Sequence, residues 1–474
     1  MMHCRFLRLS VLVAACFSVS TGRAEERLNV VLILADDMGW NDAGFSGSKV
    51  IDTPNLNRLA AEGTVFAQAC ASAPNCAPTR ACLLTGQYPP RHGVYTVVDE
   101  RHAPGSPHHR ILAAESRESM PTESVTLAEV LKPAGYVTGM FGMWNLGRGR
   151  SGPTTPTGQG FDEFTEPKEL GFAKDAYRDA AGRYSPDVLT DGALRWMESV
   201  KGRPFFLYLP FHDVHAPYDP KPELLAKYEA RKGVADPAHA ATVEAMDANV
   251  GRVMSAIEAS GAARRTLVIF TSDNGGTRQY VAPLRGGKGT LYQGGVRVPA
   301  VVRGPGIKAG RVSQVPVLSM DWFPTVLALT GVKAPDGVKA DGLDLAPVLT
   351  GAGKVPGRDL FWHFPCYIGG GGPCSAIRSG DWKLIEFFES KTTELYHLAD
   401  DPGEQRDLSE SRAEMARALL ERLRAWQKAT SAPCPGEPNP EYDPKVAPRR
   451  GREERGKGGG NGQTKQTNKE SAKP

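Results

Sequence analysis

A thiol, a guanidinium, three carboxylates, an imidazole and an ammonium stand in this sequence at spacings that could do chemistry together. Cys76-Ala77-Pro78-Thr79-Arg80 puts a thiol and a cation within one turn of backbone if a helix starts near Pro78, and proline suits the first helical position. Such a helix end attracts anions. Taken alone, the same five residues would equally suit a packed cysteine beside a proline. Asp36-Asp37 closes the apolar run Asn29–Ala35, and Asp273-Asn274 follows the apolar run 266–270. Carboxylates at the C-terminal ends of central strands lie where open α/β sheets place their ligands, although either pair by itself could cap a turn. Together they offer three carboxylates and an amide, hard oxygen donors that suit calcium or magnesium better than zinc. His215 follows the apolar run 204–211 in Val214-His215-Ala216-Pro217, and Lys288 sits among glycines in Arg285-Gly286-Gly287-Lys288-Gly289. Glycines let backbone and ammonium approach an anion closely. A turn histidine and an exposed loop lysine are the plain alternatives.

These residues need a scaffold that brings strand ends together. The continuous apolar runs 29–35, 204–211 and 266–270 are of strand length and typical of buried central strands. Helical patterns at 127–134, 189–200 and 244–258 alternate with them, and 136–141 reads as a further strand, the order of a wound α/β domain. From about Pro356 the pattern changes to short alternating strands at 360–364, 376–385 and 394–398, then a helix at 412–428. This predicts a small antiparallel sheet with one packed helix.

With 474 residues, 41% hydrophobic and 23% charged, the chain can bury two cores. Arg5 and Arg8 precede an apolar stretch at 9–19 and a small-residue site ending Gly22-Arg23-Ala24, a secretory signal peptide pattern too short to span a bilayer. The expectation is a secreted or periplasmic protein with no transmembrane segment; Val13-Ala14-Ala15-Cys16 offers lipid attachment at Cys16 as an alternative. The net charge of +4 belongs to residues 445–474, where nine Lys/Arg face three Asp/Glu without an aromatic residue. That composition predicts a disordered basic tail. No zinc-finger spacing or aromatic-basic platform points to nucleic acid. Of eight cysteines, Cys4 and Cys16 precede the expected cleavage. Cys366 and Cys374 flank a glycine-rich loop and could bridge in an oxidising compartment, while Cys70, Cys82 and Cys434 leave an odd count.

The stretches NVVLILADDMGW, DTPNLNRLAAEGTVFAQACASAPNCAPTR and TGQYPPRHGVY, in that order, closely resemble the formylglycine-dependent (type I) sulfatases, over a span from about residue 29 to the low 440s. The resemblance implies an α/β fold with a large mixed β-sheet flanked by helices, alkaline-phosphatase-like, and a smaller C-terminal antiparallel-sheet subdomain. It divides the chain into a signal peptide (1–24), a catalytic domain (25–355), a C-terminal subdomain (356–444) and the tail (445–474). It further implies that Cys76 becomes formylglycine through a separate maturation enzyme, with Arg80 holding it. Calcium would be held by Asp36, Asp37, Asp273, Asn274 and the oxygen on residue 76, while His215 and Lys288 would grip the sulfate. Thr79 stands where serine is commoner and keeps the hydroxyl. Gln293 stands where a glutamate is commoner. Met246 to Arg252 is a family landmark on the scaffold, and His212 reads as structural.

The resemblance breaks at Gly142-Met143-Trp144-Asn145-Leu146-Gly147. The family usually has lysine and histidine where Met143 and Asn145 stand. Methionine carries no charge, and Asn145 can hydrogen-bond substrate but does not titrate near neutral pH. Losing a charged contact to a transition-state anion costs about 2.7 to 4 kcal/mol. Three functions fit these residues: a sulfatase for sulfated carbohydrates or aryl sulfates, a phosphoester or phosphonate hydrolase on the same scaffold, and a weakened enzyme that binds sulfated glycans without turnover.

Overall fold

The computed structural model describes residues 27–97, 105–149, 151–277, 280–368 and 371–446. The expected signal peptide and nearly all of the basic tail lie outside these residues. Strands β1 (Asn29–Ala35), β2 (Thr64–Phe66), β3 (Ala69–Cys70), β4 (Val137–Phe141), β5 (Glu163–Thr165), β6 (Phe205–Pro210), β7 (Thr266–Ser272), β8 (Ala300–Arg303), β9 (Arg311–Ser313) and β10 (Val317–Leu318) occupy the first two thirds of the chain. Eight of them form one mixed sheet in the order β5-β4-β6-β1-β7-β8-β2-β9. β1 lies between β6 and β7, parallel to both, with Leu32 opposite Tyr208 on one side and Ile269 on the other. β8 runs antiparallel to β7.

All seven residues of β1 are buried, which explains why, after Asn29, its sequence is continuously apolar rather than alternating. Val30, Leu32 and Leu34 join a core with Ala77, Ala81 and Leu84 of the helix Cys76–Thr85 on one face. Val31 and Ile33 join another with the helices Pro54–Glu62, Ser185–Ser199 and Pro237–Ala259 on the opposite face. With helices on both faces and three parallel strands at the centre, the C-terminal ends of β1, β6 and β7 open on one edge. Asp36, His215 and Asp273 all follow those ends.

A separate antiparallel sheet of β11 (Asp359–Phe364), β12 (Cys374–Ser379), β13 (Trp382–Phe387) and β14 (Thr392–His397) follows in sequence order. Ile377, Leu384 and Leu395 pack on Leu419 and Leu423 of the helix Ala413–Ala429. The expected fold class therefore holds. Three boundaries moved for local reasons. The helix expected at 127–134 ends at Leu131; Lys132 keeps helical dihedrals, but Pro133 has no N–H to donate back and so cannot continue the ladder. The helices expected from 189 and 244 begin at Ser185 and Pro237, each with proline in the first turn; Asp236 caps the second by accepting from the Ala238 and His239 amides. The stretch 376–385 divides at Gly380, whose φ of 58° makes the turn between β12 and β13.

Candidate active site

The edge above β1 and β7 gathers four buried ligand groups: a carboxylate oxygen each from Asp36, Asp37 and Asp273 and the sulfur of Cys76 all lie within 4.8 Å of one another. Asp37 reaches this ring because its backbone turns into the left-handed region (φ 65°), which aspartate tolerates better than most residues. Its amide donates to Oδ1 of Asp273 at 3.2 Å, and the side-chain amide of Asn274 donates to Oδ1 of Asp37 at 2.7 Å. The Oδ1 of Asn274 is buried without a hydrogen-bond partner. Cys76, at the start of its helix, donates from Sγ to Oδ1 of Asp36 at 3.4 Å.

Arg80, one helical turn later, is fully buried. Its Nη2 reaches Asp36 at 2.9 Å and Asp273 at 2.8 Å, and its Nη1 donates to the carbonyl of Met143. The Thr79 hydroxyl donates to the Ala73 carbonyl at 3.0 Å and accepts from the Ala73 amide at 3.2 Å, tying down the loop ahead of Cys76. That is the work the retained hydroxyl does here.

Electrically the ring is unbalanced. Burial and the charge of Asp36 push the Asp273 carboxyl above the usual carboxylate range. Asp36 is itself pushed up by burial, but Arg80, His215 and Lys288 more than reverse this. Burial, then the charge of Asp36, holds the Cys76 thiol well above its ordinary value. Three carboxylates compressed on two permanent cations, with an orphaned amide oxygen beside them, fit a divalent cation; an isolated charge buried without compensation costs several kcal/mol or more.

Lys288 donates to Oδ2 of Asp37 at 2.9 Å, and Nε2 of His215 lies 3.7 Å from the same oxygen. Their side chains are 14% and 24% exposed, against 2% or less for the three aspartates, so the ring opens to solvent on their side. The Lys288 loop is stitched to the rest of the site: its amide donates to Gly276 at 3.0 Å and that of Gly289 to Pro74 at 2.8 Å. A Cβ at Gly275 would stand 2.0 Å from the carbonyl of Gly294, so only glycine lets the Asp273-Asn274 turn lie against that loop.

Thus Asp36, Asp37, Cys76, Arg80, His215, Asp273, Asn274 and Lys288 come together. Asn145 does not join them by contact: it is partly exposed, adopts φ 56°, and its side chain makes no hydrogen bond among the described residues. Gln293 is buried, and its backbone amide donates to Oε2 of Glu404 at 2.5 Å. His212, read as structural from sequence, is buried beside the site with both ring nitrogens unpartnered and its ring 5.3 Å from that of His215; burial lowers its pKa to about 4. Its spacing of three from His215 was the only sequence signal. Cys366 and Cys374 are free, buried thiols. Among the described residues no helix is long and apolar enough to cross a membrane.

A sulfatase family model matches residues 28–332 and an N-sulphoglucosamine sulphohydrolase C-terminal model matches residues 287–429. Arylsulfatase A of Homo sapiens is 33% identical over 88% of this chain and 90% of its own. N-acetylgalactosamine-6-sulfatase of Canis lupus familiaris is 32% identical over 90% of each. The crystal structure titled Ps i-CgsB superposes with a TM-score of 0.72 at 26% identity, covering 86% of this chain and 98% of that one. With more than half of its length matched by the family model, and the acidic ring around Cys76 at the ends of its central strands, this chain belongs to the sulfatase family, as a type I sulfatase of the alkaline-phosphatase-like superfamily and hence a sulfuric ester hydrolase.

Proposed function

We propose that the site hydrolyses sulfate esters of carbohydrates, with formylglycine made from Cys76 as nucleophile and calcium, or magnesium, as the bound ion. The observation that carries this reading is the ring: Cys76 touches one of three buried carboxylates that Arg80 and Lys288 do not fully neutralise. A divalent ion held by Asp36, Asp37, Asp273 and Asn274 would balance that charge and polarise a sulfate oxygen. Formylglycine would supply a hydrated aldehyde, with one hydroxyl to attack sulfur and a second to drive release of inorganic sulfate.

The chain's own residues then have separate tasks. Arg80 fixes Asp36 and Asp273 from below without contacting solvent. His215 and Lys288 converge on one oxygen of Asp37 from the open side, where an entering sulfate meets both donors. Carbohydrate as the alcohol portion rests on relatives such as the N-acetylgalactosamine-6-sulfatase. Export through residues 1–24, and a boundary between catalytic and C-terminal units near residue 356, belong to the same proposal. The test is threefold: mass spectrometry of the Cys76 peptide from the native host, the calcium content of the purified protein, and turnover of 4-nitrophenyl sulfate beside 4-nitrophenyl phosphate. Unmodified Cys76 in an active preparation removes the formylglycine; turnover of the phosphate ester alone moves the activity to phosphoester hydrolysis.

Met143 favours a second reading. Its carbonyl is bound by Arg80, so this residue borders the pocket, yet its side chain brings no charge. A protein that binds sulfated glycans with little turnover fits that feature, and tight glycan binding without sulfate release would identify it.

A further inference from the structure

The loop bearing Lys288 is fixed from outside the catalytic sheet. Lys383, on β13 of the C-terminal sheet, and Glu404, beyond β14, form an ion pair at 2.7 Å with both side chains fully buried. Each partner spends its remaining capacity on one segment. Lys383 donates to the carbonyl of Leu291 at 2.5 Å, and the other oxygen of Glu404 accepts the backbone amide of Gln293 at 2.5 Å. Arg285, at the front of the same segment, donates to the Glu404 carbonyl at 3.2 Å and to the Tyr396 hydroxyl at 2.7 Å. Residues 285–293 are therefore held at both ends by the C-terminal unit, with Lys288 between the two holds. Gly289 completes the attachment: a Cβ there would lie 2.6 Å from the Ile368 carbonyl.

The same segment reaches the other way into the active site through Lys288 to Gly276 and Gly289 to Pro74. Pro74 lies two residues before Cys76, and Gly276 two after Asn274. We propose that the buried Lys383–Glu404 pair is a positioning device for the reaction, through which the C-terminal sheet sets where the Lys288 ammonium stands over Asp37 and hence how tightly an oxyanion is held. Lys383 and Glu404 touch neither the ring nor the incoming sulfate. They act through the backbone at Leu291 and Gln293. A misplacement of about 1 Å at a substrate-holding group can cost on the order of a hundredfold, so a distant clamp on this loop has leverage. The inference rests on the proposed sulfatase reading for the identity of the oxyanion only.

The test removes the charges without leaving either one stranded. Replacing a buried ion pair by uncharged groups of similar shape often leaves stability nearly unchanged, whereas removing one partner does not. In Lys383→Met/Glu404→Gln the glutamine can still accept from the Gln293 amide while both charges are gone. In calcium-loaded full-length protein, hydrogen exchange of peptides covering residues 285–293 should quicken by about tenfold, with β1 and β7 unchanged. Inorganic sulfate, used as the probe and followed by calorimetry, should bind at least about fivefold more weakly. Unchanged exchange in the loop, or unchanged sulfate affinity, overturns the proposal. Should the double variant fail to fold, Glu404→Gln alone removes the anion of the pair while keeping an acceptor for the Gln293 amide, and the same two measurements on it support or overturn the proposal in the same way. Failure of the wild-type protein to turn over 4-nitrophenyl sulfate removes the sulfatase reading and leaves the exchange experiment standing.

Discussion

Two sets of buried charges lie on either side of the Lys288 loop, and they are built on opposite plans. The ring of Asp36, Asp37 and Asp273 has more negative than positive charge, an orphaned amide oxygen at Asn274 and an opening beside His215 and Lys288. The Lys383–Glu404 pair is balanced, closed and hydrogen-bonded from both partners to backbone. An unfinished cluster in a folded protein is a place for something to bind, since leaving the charges uncompensated costs more than forming the site returns. A finished cluster specifies geometry. Burial alone did not separate the two, because all of these acids are almost completely removed from solvent; the count of partners did.

The largest effect that would break this contrast comes from the ring. Asp36→Ala should abolish retention of a divalent ion, read by elemental analysis of the purified protein, and lower turnover of an aryl sulfate by roughly a thousandfold. A variant with unchanged metal content would mean that the ring is complete as it stands. Next in size, Lys383→Met alone should destabilise the protein by about 3 to 5 kcal/mol in urea unfolding, because it strands Glu404. Lys383→Met/Glu404→Gln should recover most of that loss. A single variant no worse than the double would show that the pair is not electrostatically closed.

The C-terminal unit also carries its own pH sensitivity, independent of any metal. His363, on β11, meets Ser375 at 2.6 Å through Nδ1 and the Pro433 carbonyl at 2.9 Å through Nε2, and burial lowers its pKa to about 4. The unfolded chain binds a proton near pH 6.5 and the folded one only near 4, so this contribution is complete above 6.5 and is lost as pH falls between those values. By pH 4.5 the loss should be about 2 to 3 kcal/mol. His363→Gln should flatten that limb of the stability profile; an identical acid limb in wild type and variant would assign it elsewhere. The smallest expected effect sharpens the ring's own deficit: Met143→Lys with Asn145→His should raise turnover of an aryl sulfate by at least about tenfold. The pair should exceed the product of the single changes, since groups acting as a unit are non-additive. No gain in protein shown to carry formylglycine would mean that another residue already fills these roles.

Legibility in the sequence followed the strength of local patterning. β1, β6 and β7 are unbroken apolar runs that end abruptly in Asp36, the loop before His215, and Asp273, so their strand ends could be read directly, and the ring with them. β2, β5, β8 and β9 are three or four residues long, too short for periodicity to register. The early starts of two helices were marked by Pro186 and by the Asp236-Pro237 pair. Lys383 could not have been placed. Asp381-Trp382-Lys383 follows a glycine turn and reads as exposed, and only tertiary pairing with Glu404 and the Leu291 carbonyl accounts for its burial. Nothing in the structure explains glutamine at position 293: its contact with Glu404 is made by the backbone amide, and its side-chain nitrogen is buried without a hydrogen-bond partner.

The position of β1 at the centre of the sheet has a further consequence, in time rather than in space. It is the first strand of the sheet in the chain, yet both of its neighbours, β6 and β7, come far later. At about 5 to 20 residues per second of synthesis, the six consecutive apolar residues 30–35, without a charge or a proline, wait roughly 10 to 30 seconds for β6 and several seconds more for β7. Such a segment is prone to pair with whatever strand is at hand. The best-protected strand of the finished protein is thus the one most in need of protection while the chain is being made.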